Sequence, residues 1–149
     1  MAVTAKWYGK SMLHEAQGEI AWKASGGSTI KVLLATSLYT PNQDTHEYLS
    51  DITNEVSTGD GYTTGGKTIT LSDPTYDAGS NECRMDAADV TWSALNKADI
   101  RYAIIYKDTG TAATSPLIGY VDFGATQAPA GVDFIIQWDA SGVLKKTAL

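Results

Sequence analysis

The stretch Val132-Asp133-Phe134-Ile135-Ile136-Gln137-Trp138-Asp139 decides the fold class. Val132, Phe134, Ile136 and Trp138 alternate with Asp133, Ile135, Gln137 and Asp139, a period of two that a half-buried strand produces and a helix does not. Just upstream, Pro116 opens a second run in which Leu117, Gly119, Val121 and Phe123 share one side. Before it, Arg101 to Lys107 places Tyr102, Ile104 and Tyr106 on one face and Ala103 and Ile105 on the other, as in a central strand covered on both sides. Ile30, Val32 and Leu34 alternate with Lys31, Leu33 and Ala35 in the same manner. Turn residues separate the runs: Ser25-Gly26-Gly27-Ser28, Asp60-Gly61, Gly65-Gly66, Asp73-Pro74 and the Gly/Thr/Ala loop Asp108–Ser115.

Shorter segments complete the pattern. Ile20 and Trp22 against Glu19, Ala21 and Lys23 read as a strand that forms a hairpin with Ile30–Ala35. Lys67, Ile69 and Leu71 alternate with Thr68, Thr70 and Ser72, and Glu82 to Trp92 reads as one bent strand or two short ones. Tyr8 to Gly18 suits a short helix stopped by Gly18. Asp44 and Glu47 have capping-box spacing, which predicts a second helix from Thr45 to about Asp51. The expectation is one all-β domain spanning 1–149: an antiparallel β-sandwich or jelly roll of about eight short strands, with one or two short helices in the N-terminal half. The two ends, residues 1–9 and 143–149, are candidate contact arms.

Composition agrees and narrows the function classes. The 149 residues carry 17 acidic and 11 basic side chains, a formal net charge of -6, with only 19% charged residues and 43% hydrophobic ones. That apolar content supplies a core without disulfides or metal. An acidic chain with no Lys/Arg run lacks the cations that displace counterions from a phosphate backbone, so no nucleic-acid partner is expected. No apolar run nears the roughly 20 residues of a membrane helix, so no membrane partner is expected either. Met1 to Gly9 lacks the basic-then-apolar pattern of a secretory leader.

Chemistry-bearing clusters are few. Asp44, His46, Glu47 and Asp51 set a histidine among carboxylates, but helix capping accounts for two of them, and His14 stands at no ligand spacing from His46. Asp86, Asp89, Asp122, Asp133 and Asp139 lie on or near strands, where a pair could serve as acid and base across a sugar; solubility is the simpler use of outward acids. No GxSxG elbow exists, and Cys83, the single cysteine, excludes an internal disulfide. The residues therefore predict no enzyme, no cofactor and no metal. Of the four tryptophans, Trp22, Trp92 and Trp138 are assigned to the core. Trp7 and Tyr8, ahead of the strand pattern, are assigned to an interface, with Lys145, Lys146 and Leu149 of the tail as further interface candidates.

Several segments resemble small virion proteins of tailed bacteriophages. They are Met1–Lys10, Leu38–Tyr48, Ser50–Val56, Gly61–Thr63, Ala88–Trp92, Arg101–Tyr106, Leu117–Gly124 and Ile136–Gly142, so the resemblance runs along nearly the whole length of the chain. In size and β content the chain is similar to capsid decoration, or cement, proteins. The resemblance implies a homotrimer on the outer surface of the capsid, made in the host bacterial cytoplasm, that bridges neighbouring subunits of the major capsid protein against internal DNA pressure. It implies no catalytic residue. The alternative is a tail or fibre module that binds a host-surface glycan or another virion protein.

Overall fold

The computed structural model describes residues 2–149. Among them run eleven strands, one α-helix and two 3-10 turns: β1 (Ala2–Val3), β2 (Lys6–Trp7), α1 (Ser11–Ala16), β3 (Ile30–Ala35), a 3-10 turn at Leu49–Asp51, β4 (Lys67–Thr68), β5 (Thr75–Asp77), β6 (Glu82–Met85), β7 (Val90–Asn96), β8 (Ile100–Lys107), a second turn at Ala112–Thr114, β9 (Leu117–Gln127), β10 (Ala130–Trp138) and β11 (Leu144–Thr147). The chain is all-β and sandwich-like. A five-stranded sheet, β2-β9-β8-β3-β4, faces two three-stranded sheets, β1-β10-β7 and β11-β6-β5. Every pairing is antiparallel except one: β1 runs parallel to β10, Ala2 opposite Gln137 and Val3 opposite Trp138.

The double alternation of β3 and β8 explains why the larger sheet is a middle layer. Ile30, Val32 and Leu34 with Ile100, Ala103 and Ile105 point into a core shared with Trp92, Ile136, Trp138, Met85 and Leu144 of the smaller sheets. Leu33, Ala35, Ile104 and Tyr106 point the other way, into a second core with Tyr8, Tyr39, Leu117 and Tyr120. The edge strand β4 is pressed onto β3 through a glycine. A Cβ on Gly66, whose φ is +74°, would lie 1.9 Å from the Val32 carbonyl oxygen.

Two sequence expectations change. Ile20 and Trp22 are buried as the alternation predicts, but no strand forms over Glu19–Lys23. β3 already has β4 on one side and β8 on the other, so no edge remains for a hairpin. The segment is held instead by Ser28, whose N–H donates to Ala21 O at 2.8 Å and whose hydroxyl accepts from Ala21 N–H at 2.9 Å. The helix expected over Thr45–Asp51 is a single 3-10 turn, Leu49–Asp51. The Asn42 side chain takes the N–H groups of Asp44 and Thr45, and Asp51 rather than Asp44 caps, accepting from Glu47 and Tyr48 N–H at 2.8 and 3.0 Å. The two candidate contact arms are built into the sheets. β1, β2 and β11 are sheet strands, and Val143 and Leu144 are fully buried.

Candidate functional site at the terminal seam

The two chain ends meet each other. β2 lies on β9 with Trp7 opposite Gly119, and a Cβ on Gly119 would stand 2.7 Å from Lys6 O and 3.1 Å from Leu144 Cδ2. That missing side chain lets β2 and β11 approach. Ala5 N–H then donates to Val143 O at 2.8 Å, and the Trp7 indole N–H donates to Lys145 O at 2.8 Å. β11 completes the seam by pairing with β6, Lys146 opposite Cys83. The Lys146 ammonium sits 5.0 Å from the centre of the Trp7 ring and pairs with the Glu15 carboxylate of α1. Partial burial holds its pKa below the ordinary lysine value. Lys145 reaches Glu82 on the neighbouring strand at 3.5 Å.

Beside the seam opens a cleft of about 280 Å³ lined by Glu15, Ile20, Trp22, Cys83, Met85 and Lys146. Its floor is apolar and its rim carries one anion and one cation. Tyr76, opposite Cys83 in register, is exposed, and so is Met12, one helical turn before Glu15 on α1. An apolar centre inside a polar rim is the layout common at protein–protein contacts.

Of the interface candidates, the structure brings Trp7, Lys145 and Lys146 together but spends the Trp7 N–H inside the chain. Leu149 projects into solvent. Tyr8 is a correction: it is completely buried, its side chain having turned to the opposite face of the sheet from Trp7. Its hydroxyl pairs with that of Tyr39 at 2.7 Å, and Tyr39 in turn meets His46 Nδ1 at 2.8 Å. Burial pushes the Tyr39 phenol up to about 12 and raises Tyr8 further.

The acidic residues do not converge. Asp89 accepts from Trp138 N–H, Asp133 from Ala94 N–H and Asp139 from Ser141, while Asp122 pairs with Arg101 at 2.6 Å. Among the described residues no group of three His, Cys, Asp or Glu has metal-binding geometry. Sequence reading missed a different constellation. His14, nearly buried, sits between Glu19 at Nδ1 and Glu47 at Nε2, the latter 3.2 Å away, and Lys10 joins Glu47 at 3.1 Å. Each ring nitrogen thus has a carboxyl group as its partner. The Lys10 bond, with His14, keeps the Glu47 carboxyl below its ordinary pKa. Glu47 lies 33 positions from His14, so no local spacing signals this clamp. It ties α1 to the segment that covers the tyrosine-rich core.

No protein-family model, no curated protein and no solved structure matches the chain.

Proposed function

We propose that the chain is a structural protein of a bacteriophage virion. It decorates the outer surface of the capsid and bridges neighbouring major capsid subunits as a homotrimer, after synthesis in the host cytoplasm. The sequence resemblance suggests this role, and the terminal seam is the observation that carries it. β1, β2 and β11 are paired into sheets and β2 is tied to β11, so neither β2 nor β11 peels alone under load, and the same seam presents an apolar cleft with a charged rim. The net charge of -6 disfavours contact with packaged DNA.

The seam also dictates the test. Removing residues 1–8 would strip Tyr8 from the core and β2 from its sheet, so the decisive variants are on the surface. Met12→Asp and removal of Leu149 leave every described hydrogen bond in place. Purified chain is mixed with heads that lack it and sedimented. The expected result is saturation at three copies per local threefold position, and at least tenfold weaker binding by Met12→Asp with an unchanged far-UV spectrum. Unmodified binding by both variants, or no binding by the natural chain, overturns the proposal.

A further inference from the structure

His46 ends a buried hydrogen-bond chain whose direction the backbone fixes. Its Nδ1 receives the Asn42 N–H at 3.4 Å and faces the Tyr39 hydroxyl at 2.8 Å, which in turn meets the Tyr8 hydroxyl at 2.7 Å. A backbone N–H can only donate, so Nδ1 is a bare acceptor and the ring's proton sits on Nε2. Tyr39 therefore donates to Nδ1, and Tyr8 donates to Tyr39. Both tyrosines are at most 1% exposed, and the Tyr8 hydroxyl has no other partner among the described residues. The imidazole also stacks on Tyr39, 5.6 Å between ring centres, and closes the turn Asn42–His46, in which His46 N–H donates to Asn42 O at 3.1 Å. The same turn is tied to β2 and the start of α1: Gly9 N–H donates to Gln43 O at 2.9 Å, and the Gln43 side-chain amide donates to Trp7 O at 2.6 Å.

A second proton can enter this ring only at Nδ1, the atom on which the chain ends. The acceptor then becomes a donor. Asn42 N–H faces another N–H, Tyr39 has to accept from the ring and turn its own proton toward Tyr8, and the Tyr8 proton is left without an acceptor in the core, an arrangement folded proteins avoid. The other groups that face the ring do not restore it. Tyr8, 6.5 Å away between ring centres, is part of the same chain. The Asp51 carboxylate senses the ring's charge but already accepts from Glu47 and Tyr48 N–H, and the Lys10 ammonium is taken up by Glu47 at 3.1 Å. An imidazolium that leaves the tyrosines has Asp51 as its counter-ion. His14 is wired differently: both of its nitrogens face carboxyl groups, those of Glu19 and Glu47, so a proton added there strips no tyrosine or backbone group of its acceptor.

We propose that the turn Asn42–His46 is an acid-opened latch: a proton on His46 Nδ1 breaks the bonds to Tyr39 and Asn42, and the turn lifts from the tyrosine pair and from Trp7 and Gly9. The next segment stays docked, because Glu47 O accepts from Leu117 N–H and Leu49 N–H donates to Ser115 O. The open turn accommodates the Nδ1 proton and the closed turn does not, so the closed form is complete above the ordinary histidine range and drains away as pH falls through it. The latch stands apart from the virion role. Failure of head binding leaves it intact, and failure of the latch leaves the seam proposal intact.

The test uses the full chain labelled with ¹⁵N, in which the imidazole nitrogens of the two histidines are read separately by NMR. At about pH 8 His46 should show a bare Nδ1 and a protonated Nε2. Between about pH 8 and about pH 5, where histidines change charge, protonation of His46 should lower the hydrogen-exchange protection of the Gly9 and His46 amides at least tenfold, with one midpoint, while protection at Leu49 and Ile52 changes less than twofold. His46→Asn keeps an oxygen acceptor at the δ position and cannot titrate there, so Gly9 should stay protected in acid. His14→Gln should leave the acid loss in place. On the natural chain, a proton on Nδ1 at about pH 8, no protonation of His46 down to about pH 5, or protection unchanged once it is protonated overturns the proposal, whatever the variants' stability. A loss of Gly9 protection in His46→Asn that follows the same pH course overturns it as well.

Discussion

The two faces of the five-stranded sheet are packed by different means. One face meets a dry core in which Trp92 lies against Tyr62 and Phe134. There the indole N–H of Trp92 is buried with no hydrogen-bond partner, and stability comes from area and fit. The other face carries Tyr8, Tyr39, Tyr106 and Tyr120, whose hydroxyls need partners. They are closed in by α1 and the segment from Thr36 to Val56, where Tyr8, Tyr39 and His46 form a hydrogen-bonded chain. The first face should fail mainly by cavity formation, Tyr62, whose hydroxyl donates to Glu55, being the one titratable residue of its core among those described, while the second should fail by losing polar partners and follow pH.

The largest expected effect is on the dry side. Trp92→Ala removes the largest fully buried side chain and should cost about 3–5 kcal/mol in urea unfolding. Trp92→Phe should recover most of that, because the indole N–H it deletes bonds to nothing. A Phe variant as damaged as the Ala variant would show that the N–H has a partner and that the contrast between the faces is wrong.

On the polar side, Tyr39→Phe keeps the ring and loses one hydroxyl, stripping the Tyr8 hydroxyl of its side-chain partner. The expected cost is about 1–3 kcal/mol, the range for leaving a buried polar group unpaired. Equal stability of Tyr39→Phe and the natural chain would make this face as dry in practice as the other.

The pH response sharpens the same contrast. In the fold Tyr39 titrates at about 12, above the ordinary value of 10, so its contribution is complete below 10 and drains away as pH rises through 12. Backbone N–H bonds to Asp51, and the Lys10 bond to Glu47, depress those carboxyls. Their contribution is complete above the ordinary carboxylate range and is lost as pH falls through their folded values. Asp51→Asn should therefore flatten the acid limb of a stability-against-pH curve and cost about 1 kcal/mol at neutral pH as a lost cap. Trp92→Phe should shift the whole curve without changing its shape.

The dry face was the more legible in the sequence. Ile30, Val32, Leu34 and Ile105 announce themselves by period two, and Trp22, Trp92 and Trp138 fall where that period puts them, at most 7% exposed. The cover of the polar face was not legible. Asp44 and Glu47 have cap spacing, yet Asn42 and Asp51 do the capping, because the chain there is fixed from outside: Glu47 O accepts from Leu117 N–H and Leu49 N–H donates to Ser115 O. Alternation also marks which residues are buried without marking which strands pair, as Ile20 and Trp22 illustrate. The seam was half legible. Trp7, Lys145 and Lys146 were singled out, but nothing in their spacing said that they would meet one another.

That meeting gives the smallest expected effect, and it belongs to neither face. Lys146 is about a third exposed (38%) and Glu15 less so (16%), which places their ion pair between a surface bridge and a buried one. The Trp7 ring adds a cation–π contact on the ammonium's other side. Lys146→Met keeps the stem over Trp7 and removes the charge, and Glu15→Gln removes the other charge while keeping a hydrogen-bonding group. In a double-mutant cycle the coupling between them should be about 0.5 kcal/mol at low salt and shrink in molar salt. Lys146→Met alone should cost more than that coupling, because the ring loses its cation whether or not Glu15 is present. If the single variant costs no more than the coupling, Trp7 contributes only its hydrogen bond to Lys145 O, and the seam is held by backbone pairing.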